Sequence, residues 1–317
     1  MLISSLLTHN RPITSHLHLS FLKYFIMEQK EINALIGLLD DPDENIYSHV
    51  KDKLLDIGHD IIPLLEKAWE TKSFGILFES RIENIIHSLQ FDAVQKALTN
   101  WNTKGGYDLL EALLIVARYQ YPDLDENKIT ETIEQLKKDI WIELNDQLTA
   151  LEKIKVMNHV FFDVHGFAGN ISNYHSPQNS YINCVLESKK GNPISLGLLY
   201  ILTAKQLDLP IFGVNLPRHF ILCFIDNLAD ESKKEDNILF YINPFSKGTV
   251  LSKREVEHFL KQLKIESQNS FFQPCTNKTI IQRVLNNLLY SYQKLGHEEK
   301  VEEIQQLLNI VSPIQKP

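Results

Sequence analysis

His219 stands in the apolar run GVNLPRHFIL, residues 213–222, directly after Arg218. An imidazole among aliphatic side chains is either a general base that takes a proton from a nearby hydroxyl or thiol, or a core residue satisfied by a carbonyl. Ser195 falls near the start of PISLGLLYILTAKQLDL, where a first-turn hydroxyl also bonds free backbone N–H groups. Cys184 lies one segment earlier and reaches a base at His219 only if that segment folds over it. Cys223 follows His219 by four residues on the same expected strand, roughly 13 Å along it, and reads as a small buried hydrophobe. Strand alternation puts Arg218 on the face opposite His219, toward solvent or an acidic partner. His159, His165 and His175 are close in sequence, but no carboxylate or thiol spacing completes a tetrahedral set, so neither a metal nor another cofactor is expected.

The elements that must position these residues follow from periodicity. From Glu28 to about Trp101 the apolar spacing is helical, and LLDDPDENIYSHVKDKLLDIGHDIIPLLEKAWE reads as turn, helix, Gly turn and helix. That layout resembles one unit of a HEAT-type repeat, which buries its apolar face only by packing on a neighbour. After Gly105 and Gly106 a strongly apolar helix restarts at YDLLEALLIVARYQY, and two more follow, the second closed by Gly166. FAGNISNYHSPQNSY, residues 167–181, is dense in Gly, Asn, Ser and Pro and reads as a loop. INCVLESKKG reads as a short helix, and the segment from Pro193 as a buried helix with proline at a permitted first-turn position. IFGVNL, HFILCFI and ILFYIN then alternate with turns, the signature of an antiparallel sheet, with the charged loop 226–237 joining the last two. Helices return after Ser252 and end in a helix, Gly turn and helix.

The ordered series ARYQYPDLD (117–125), GFAGNISNYHSPQNSY (166–181), VLESKKGNPISLGLLY (185–200), LPIFGVNLPRHF (209–220), INPFSKG (242–248) and QRVLNNLLYSY resembles the SirB-type branch of the transglutaminase-like superfamily. The resemblance implies an α+β fold: a papain/transglutaminase-like core of one buried helix and a small antiparallel sheet, flanked by helical units, in a bacterial cytoplasmic protein. The expected domains are residues 1–26 as a non-native or disordered extension, with Met27, where the helical pattern begins, as the natural start, 27–104 as the HEAT-like unit, 105–250 as the core, and 251–317 as a tetratricopeptide-like unit. In such enzymes a Cys at the start of the central helix is paired with a His and an Asp on adjacent strands. Here the helix start offers Pro193 or Ser195, the third position is Asn243 in Asn-Pro-Phe where Asp-Pro-Phe is usual, and His219 alone matches. An Asn still orients an imidazole, though without a compensating charge.

The resemblance with these departures predicts a chain that has lost the nucleophilic thiol and binds a protein or peptide segment around His219, Asn243, Pro193 and the loop bearing Asn170, Tyr174, Asn179 and Ser180. Of these, Asn170, Asn179 and Ser180 are expected to fix the loop backbone. The competing class is an amide hydrolase or acyl transferase in which His219, oriented by Asn243, activates Ser195 or Cys184. Composition bounds the choice: 317 residues, 44% hydrophobic and 23% charged, predict ordinary globular units. A net charge of −8 without a basic stripe argues against nucleic acid, and three separated cysteines argue for a reducing compartment. Thr, His, Asn, Arg and Pro interrupt the apolar runs of the first 26 residues, so neither a secretory signal nor a membrane span is expected.

Overall fold

The structure, a computed structural model, describes residues 30–70, 75–226 and 237–312. The expected extension, Met27 and most of the charged loop lie outside the described residues. Two compact units divide between residues 93 and 94.

In the first unit, α1 (30–37), α2 (Glu44–Ile57), α3 (Ile62–Glu70) and the start of α4 (Ile76–Thr103) bury Leu39, Leu54, Leu65, Ile82 and Ile85 in one core. Asp43 caps α2 by accepting from the Asn45 N–H at 2.8 Å. Arg81 is buried and pins the acidic turn, donating to the carbonyls of Leu39 and Asp41 and to Glu44 Oε1 at 2.7 Å.

The second unit carries the candidate site. Its first helices, α5 (Leu109–Arg118), α6 (Glu126–Glu143) and α7 (Ala150–Asn158), start where the sequence supplies caps: Asp108, Asp125, and Thr149 with Glu152 in a reciprocal capping box. α7 passes into a π turn, His159–Val164, before Gly166. The stretch expected to be a loop contains a two-residue strand, β1 (Ala168–Gly169), and a 3-10 turn, Pro177–Ser180. β1 pairs in parallel with β2 (Lys190–Gly191), which follows α8 (Ile182–Ser188). The pairing ties the polar loop to the backbone just ahead of the central helix.

That helix, α9 (Pro193–Gln206), is buried from Pro193 through Ala204, as an element apolar on every side must be. It packs on α6, α8, β3 (Ile211–Val214) and β4 (Ile221–Ile225). Gly197 permits a close approach, since a Cβ there would meet the Phe220 ring at 3.0 Å. β3, β4, β5 (Ile238–Asn243) and β6 (Thr249–Leu251) form an antiparallel sheet in that order, with Leu222 opposite Ile242 and Asn243 opposite Thr249. α10 (Lys253–Gln262) begins with a Ser252/Glu255 capping box, and α11 (Asn277–Leu295) and α12 (Glu298–Val311) form a hairpin turned at Gly296.

One expectation is overturned. His219 and Phe220, expected on the strand HFILCFI, lie ahead of it: β3 ends at Val214 and β4 starts at Ile221, and residues 215–220 form a turn in which the His219 N–H bonds the Leu216 carbonyl at 3.2 Å. Pro217 brings no N–H to a ladder, and Arg218 sits at φ 61°, a left-handed conformation incompatible with a strand. His219 therefore precedes the sheet, and strand alternation does not separate it from Arg218.

Candidate functional site

A cavity of about 500 Å³ lies where four pieces of the second unit converge. The start of α9 contributes Asn192, Pro193 and Ile194; the 215–220 turn contributes Arg218, His219 and Phe220; α11 contributes Arg283, Asn287, Tyr290 and Ser291; and the polar loop contributes Tyr174 and His175.

His219 is half-buried, and one ring nitrogen, Nε2, lies 3.2 Å from Asn243 Oδ1. The orientation of the amide follows from its other contacts. Asn243 Oδ1 accepts from the Phe245 N–H at 3.2 Å, and its Nδ2 donates to Ser246 Oγ at 3.2 Å. The oxygen must therefore face the imidazole, Nε2 is the protonated nitrogen, and the lone pair of the neutral ring sits on Nδ1. Among the described residues Nδ1 has no hydrogen-bond partner. An imidazole oriented by an amide with its second nitrogen unengaged is the arrangement a general base requires.

Burial pushes the His219 imidazole below its ordinary value; the hydrogen bond it donates to Asn243 opposes this, and the Arg283 charge adds to it. The sign of the pH effect follows. The folded ring binds protons less readily than the unfolded one, so stability falls as pH drops below about 6.5 and levels off below the folded value. Between about pH 7.5 and about pH 5.5, the urea midpoint of the parent should drop further than that of His219→Gln. Equal drops in the two proteins would show that the ring is not held in its neutral form.

The candidate nucleophiles are placed differently. Ser195 is buried, and its hydroxyl is engaged in capping α9: Oγ accepts from the Asn192 N–H at 3.0 Å, while Asn192 Oδ1 accepts from the Ser195 N–H at 2.9 Å. Ser195 is not among the cavity-lining residues; its neighbours Pro193 and Ile194 are. Cys184, on α8, points its thiol at the Tyr121 hydroxyl, 3.1 Å away, and burial pushes it up despite that hydrogen bond. Cys223 is fully buried on β4 in a cluster with Val214, Leu216 and Tyr241, and burial pushes both it and Cys275 up to about 12.

Of the residues expected to bind, Tyr174 of the loop and Pro193 of α9 line the cavity. The others build the loop. Asn170 Nδ2 donates to Asn179 Oδ1 at 2.8 Å, Asn179 Nδ2 donates to the Asn173 and Tyr174 carbonyls, and Ser180 Oγ accepts from Asn192 Nδ2 at 3.0 Å. The histidines close in sequence take different neighbours: His159 faces Asp163, His165 bonds Asp139 at 2.8 Å, and His175 stands between the rings of Tyr174 and Tyr290 in the cavity wall.

Sequence reasoning predicts α11 as a helix but not its contribution to the cavity. Arg283, Asn287 and Ser291 recur at four-residue spacing in QRVLNNLLYSY, a polar stripe on one helical face beside the apolar stripe of Ile281, Val284, Leu285 and Leu288. That stripe was the available signal.

A buried central helix, an antiparallel sheet and an amide-oriented histidine beside the helix start are the frame of a transglutaminase-like domain. The family model of the transglutaminase-like superfamily matches residues 127–286, and the chain belongs to that superfamily. It is similar to a UPF0162 protein of Xylella fastidiosa (strain Temecula1), 31% identical over 205 residues that cover 61% of this chain and 70% of that protein. It is also similar to F-box only protein 21 of Homo sapiens, 33% identical over 167 residues covering 53% of this chain and 24% of that protein. The mouse F-box only protein 21 is 27% identical over 285 residues, 90% of this chain and 38% of that protein. No solved structure matches the chain at comparable significance. Among the described residues, no helix is long and apolar enough to cross a membrane.

Proposed function

We propose that the chain is a non-catalytic binding module on a transglutaminase-like frame, taking a protein or peptide segment in the cavity beside His219. The observation that carries this reading is the lining of the helix start: Pro193 and Ile194 face the cavity, and no cysteine lines it. The remaining nucleophiles are otherwise engaged, Ser195 in the cap of α9 and Cys184 with Tyr121. A match inside a much longer F-box protein supports a module carried as part of different proteins. Within the superfamily we place the chain in the SirB-type branch, with the α11–α12 hairpin as its tetratricopeptide-like element.

One observation favours a second reading, an amide hydrolase or acyl transferase: the His219–Asn243 pair itself, with Nδ1 unengaged. Labelling separates the two. In the binding reading, each of the three cysteines reacts with iodoacetamide no faster than free glutathione, no serine takes a fluorophosphonate, and His219→Ala changes neither result. Peptides selected on the purified chain by display should lose binding when the cavity is filled by Asn287→Trp. Fast labelling of Cys184 or Ser195 that collapses with His219→Ala would replace the binding module with an enzyme.

A further inference from the structure

The charge of the cavity is at odds with the charge of the chain. In a protein of net charge −8, its wall carries two guanidinium groups, Arg218 and Arg283, and two imidazoles, and among the described residues no Asp or Glu. A second cavity, of about 310 Å³ between α6 and α8, has the opposite character, with Asp123, Asp125 and Glu187 around a single Lys128. The cationic lining is thus local to the His219 cavity.

Arg283 is the informative residue. Its side chain is half-buried on α11, and Nη1 donates to two neutral acceptors, Asn215 Oδ1 at 3.2 Å and the Leu216 carbonyl at 3.3 Å. These bonds fix the guanidinium without neutralising it, and among the described residues it has no carboxylate partner. Burial pulls its proton affinity down, and the Tyr174 phenol acts the other way. A half-buried cation without a counter-charge is costly, and its remaining N–H donors belong to the cavity it lines. Arg218 adds a second guanidinium from an exposed position, at a φ of 61° that glycine would adopt with less strain.

We propose that this cavity is a receptor for a carboxylate, the C-terminal carboxylate of a peptide, gripped by Arg283 and Arg218. A planar guanidinium fork matches a carboxylate in two parallel hydrogen bonds. A chain end enters a concave cavity, whereas an internal segment must lead both of its ends out. The identity of the carrier as a peptide rests on the binding function proposed above; the preference for a carboxylate rests on the cavity alone.

Thermal unfolding of the full chain tests the carboxylate with N-acetylglycine as the probe, N-acetylglycinamide as the neutral control and inorganic phosphate as the competing anion, all at one ionic strength. N-acetylglycine should raise Tm by about 2 °C once its concentration exceeds Kd severalfold, and the amide should not. The rise should vanish in Arg283→Gln and shrink in Arg218→Gln, whose exposed position leaves folding intact. An equal response to acid and amide, or a rise that survives in both variants, overturns the receptor. A larger, Arg283-dependent rise with phosphate overturns the choice of carboxylate. The peptide carrier is tested separately with display-selected ligands made as free acids and as amides. Amidation should weaken them by about tenfold or more, the value of a hydrogen-bonded charge. Selected peptides that bind equally as amides would defeat the carboxylate and leave the binding module standing. A chain that selects no peptide yet responds to N-acetylglycine would defeat the peptide carrier alone.

Discussion

Pro193→Cys creates a thiol that iodoacetamide alkylates about tenfold faster than glutathione at about pH 6, and the excess disappears when His219→Ala is added. Residue 193 is the first residue of α9 and lines the cavity shared with His219. The helix start favours negative charge, and an imidazole whose Nδ1 is unengaged stands ready to accept the thiol proton. A fall in thiol pKa from about 8.5 to about 6.5 would raise the thiolate fraction at about pH 6 roughly 80-fold, while the lower basicity of that thiolate takes back about eightfold, leaving the stated tenfold. The substitution is gentle on the helix, because the Asn192–Ser195 capping box is untouched and a first-turn N–H needs no intrahelical partner. Rates mapped to residue 193 by mass spectrometry decide the matter. A thiol there that reacts like free glutathione would mean that His219 and Asn243 are not poised toward the helix start.

The largest stability effect is expected at a residue outside the cavity. Gly248 has a φ of 70°, and a Cβ there would lie 1.9 Å from Asn158 Oδ1. Asn158 is bound on both sides: its Nδ2 donates to the Gly248 carbonyl at 2.8 Å, and its Oδ1 accepts from the Tyr200 hydroxyl at 3.0 Å. Any side chain at 248 must evict Asn158, leaving the hydroxyl of the fully buried Tyr200 without its acceptor. An orphaned buried donor costs about 1–3 kcal/mol and the left-handed backbone about 1–2 kcal/mol more. Gly248→Ala should therefore lose about 3 kcal/mol, better than a hundredfold in the folding equilibrium, read as a fall in the urea midpoint. Asn158→Ala removes the obstruction, so the double variant should be less damaged than the two single losses added together. Strict additivity, or a Gly248→Ala protein as stable as the parent, would show that this contact does not hold the turn. The same turn carries the site amide, since the Gly248 N–H bonds the Asn243 carbonyl at 2.9 Å.

What could be read from the sequence was what local chemistry decides. Pro193 marks a helix start, and the nearly all-apolar run to Ala204 declares a helix buried on every side. His219 and Asn243 were also legible, because a short motif surrounds each. A turn between IFGVNL and HFILCFI was legible, but its reach was not: it runs on through His219, which the apolar residues that follow drew into the strand. Arg283 was missed for a different reason. It meets the Leu216 carbonyl from 67 residues away, and no local pattern announces which distant turn a helical face will find.

That sequence separation has a consequence for when the protein becomes competent. Chains are made from the N-terminus and fold as they emerge. His219, Asn243 and the start of α9 all precede α11, so a nascent chain can assemble the histidine and its amide while the wall bearing Arg283, Asn287 and Ser291 is still unmade. The cavity closes only after α11 has left the ribosome, so a ligand that needs Arg283 discriminates chains that carry α11 from those still lacking it.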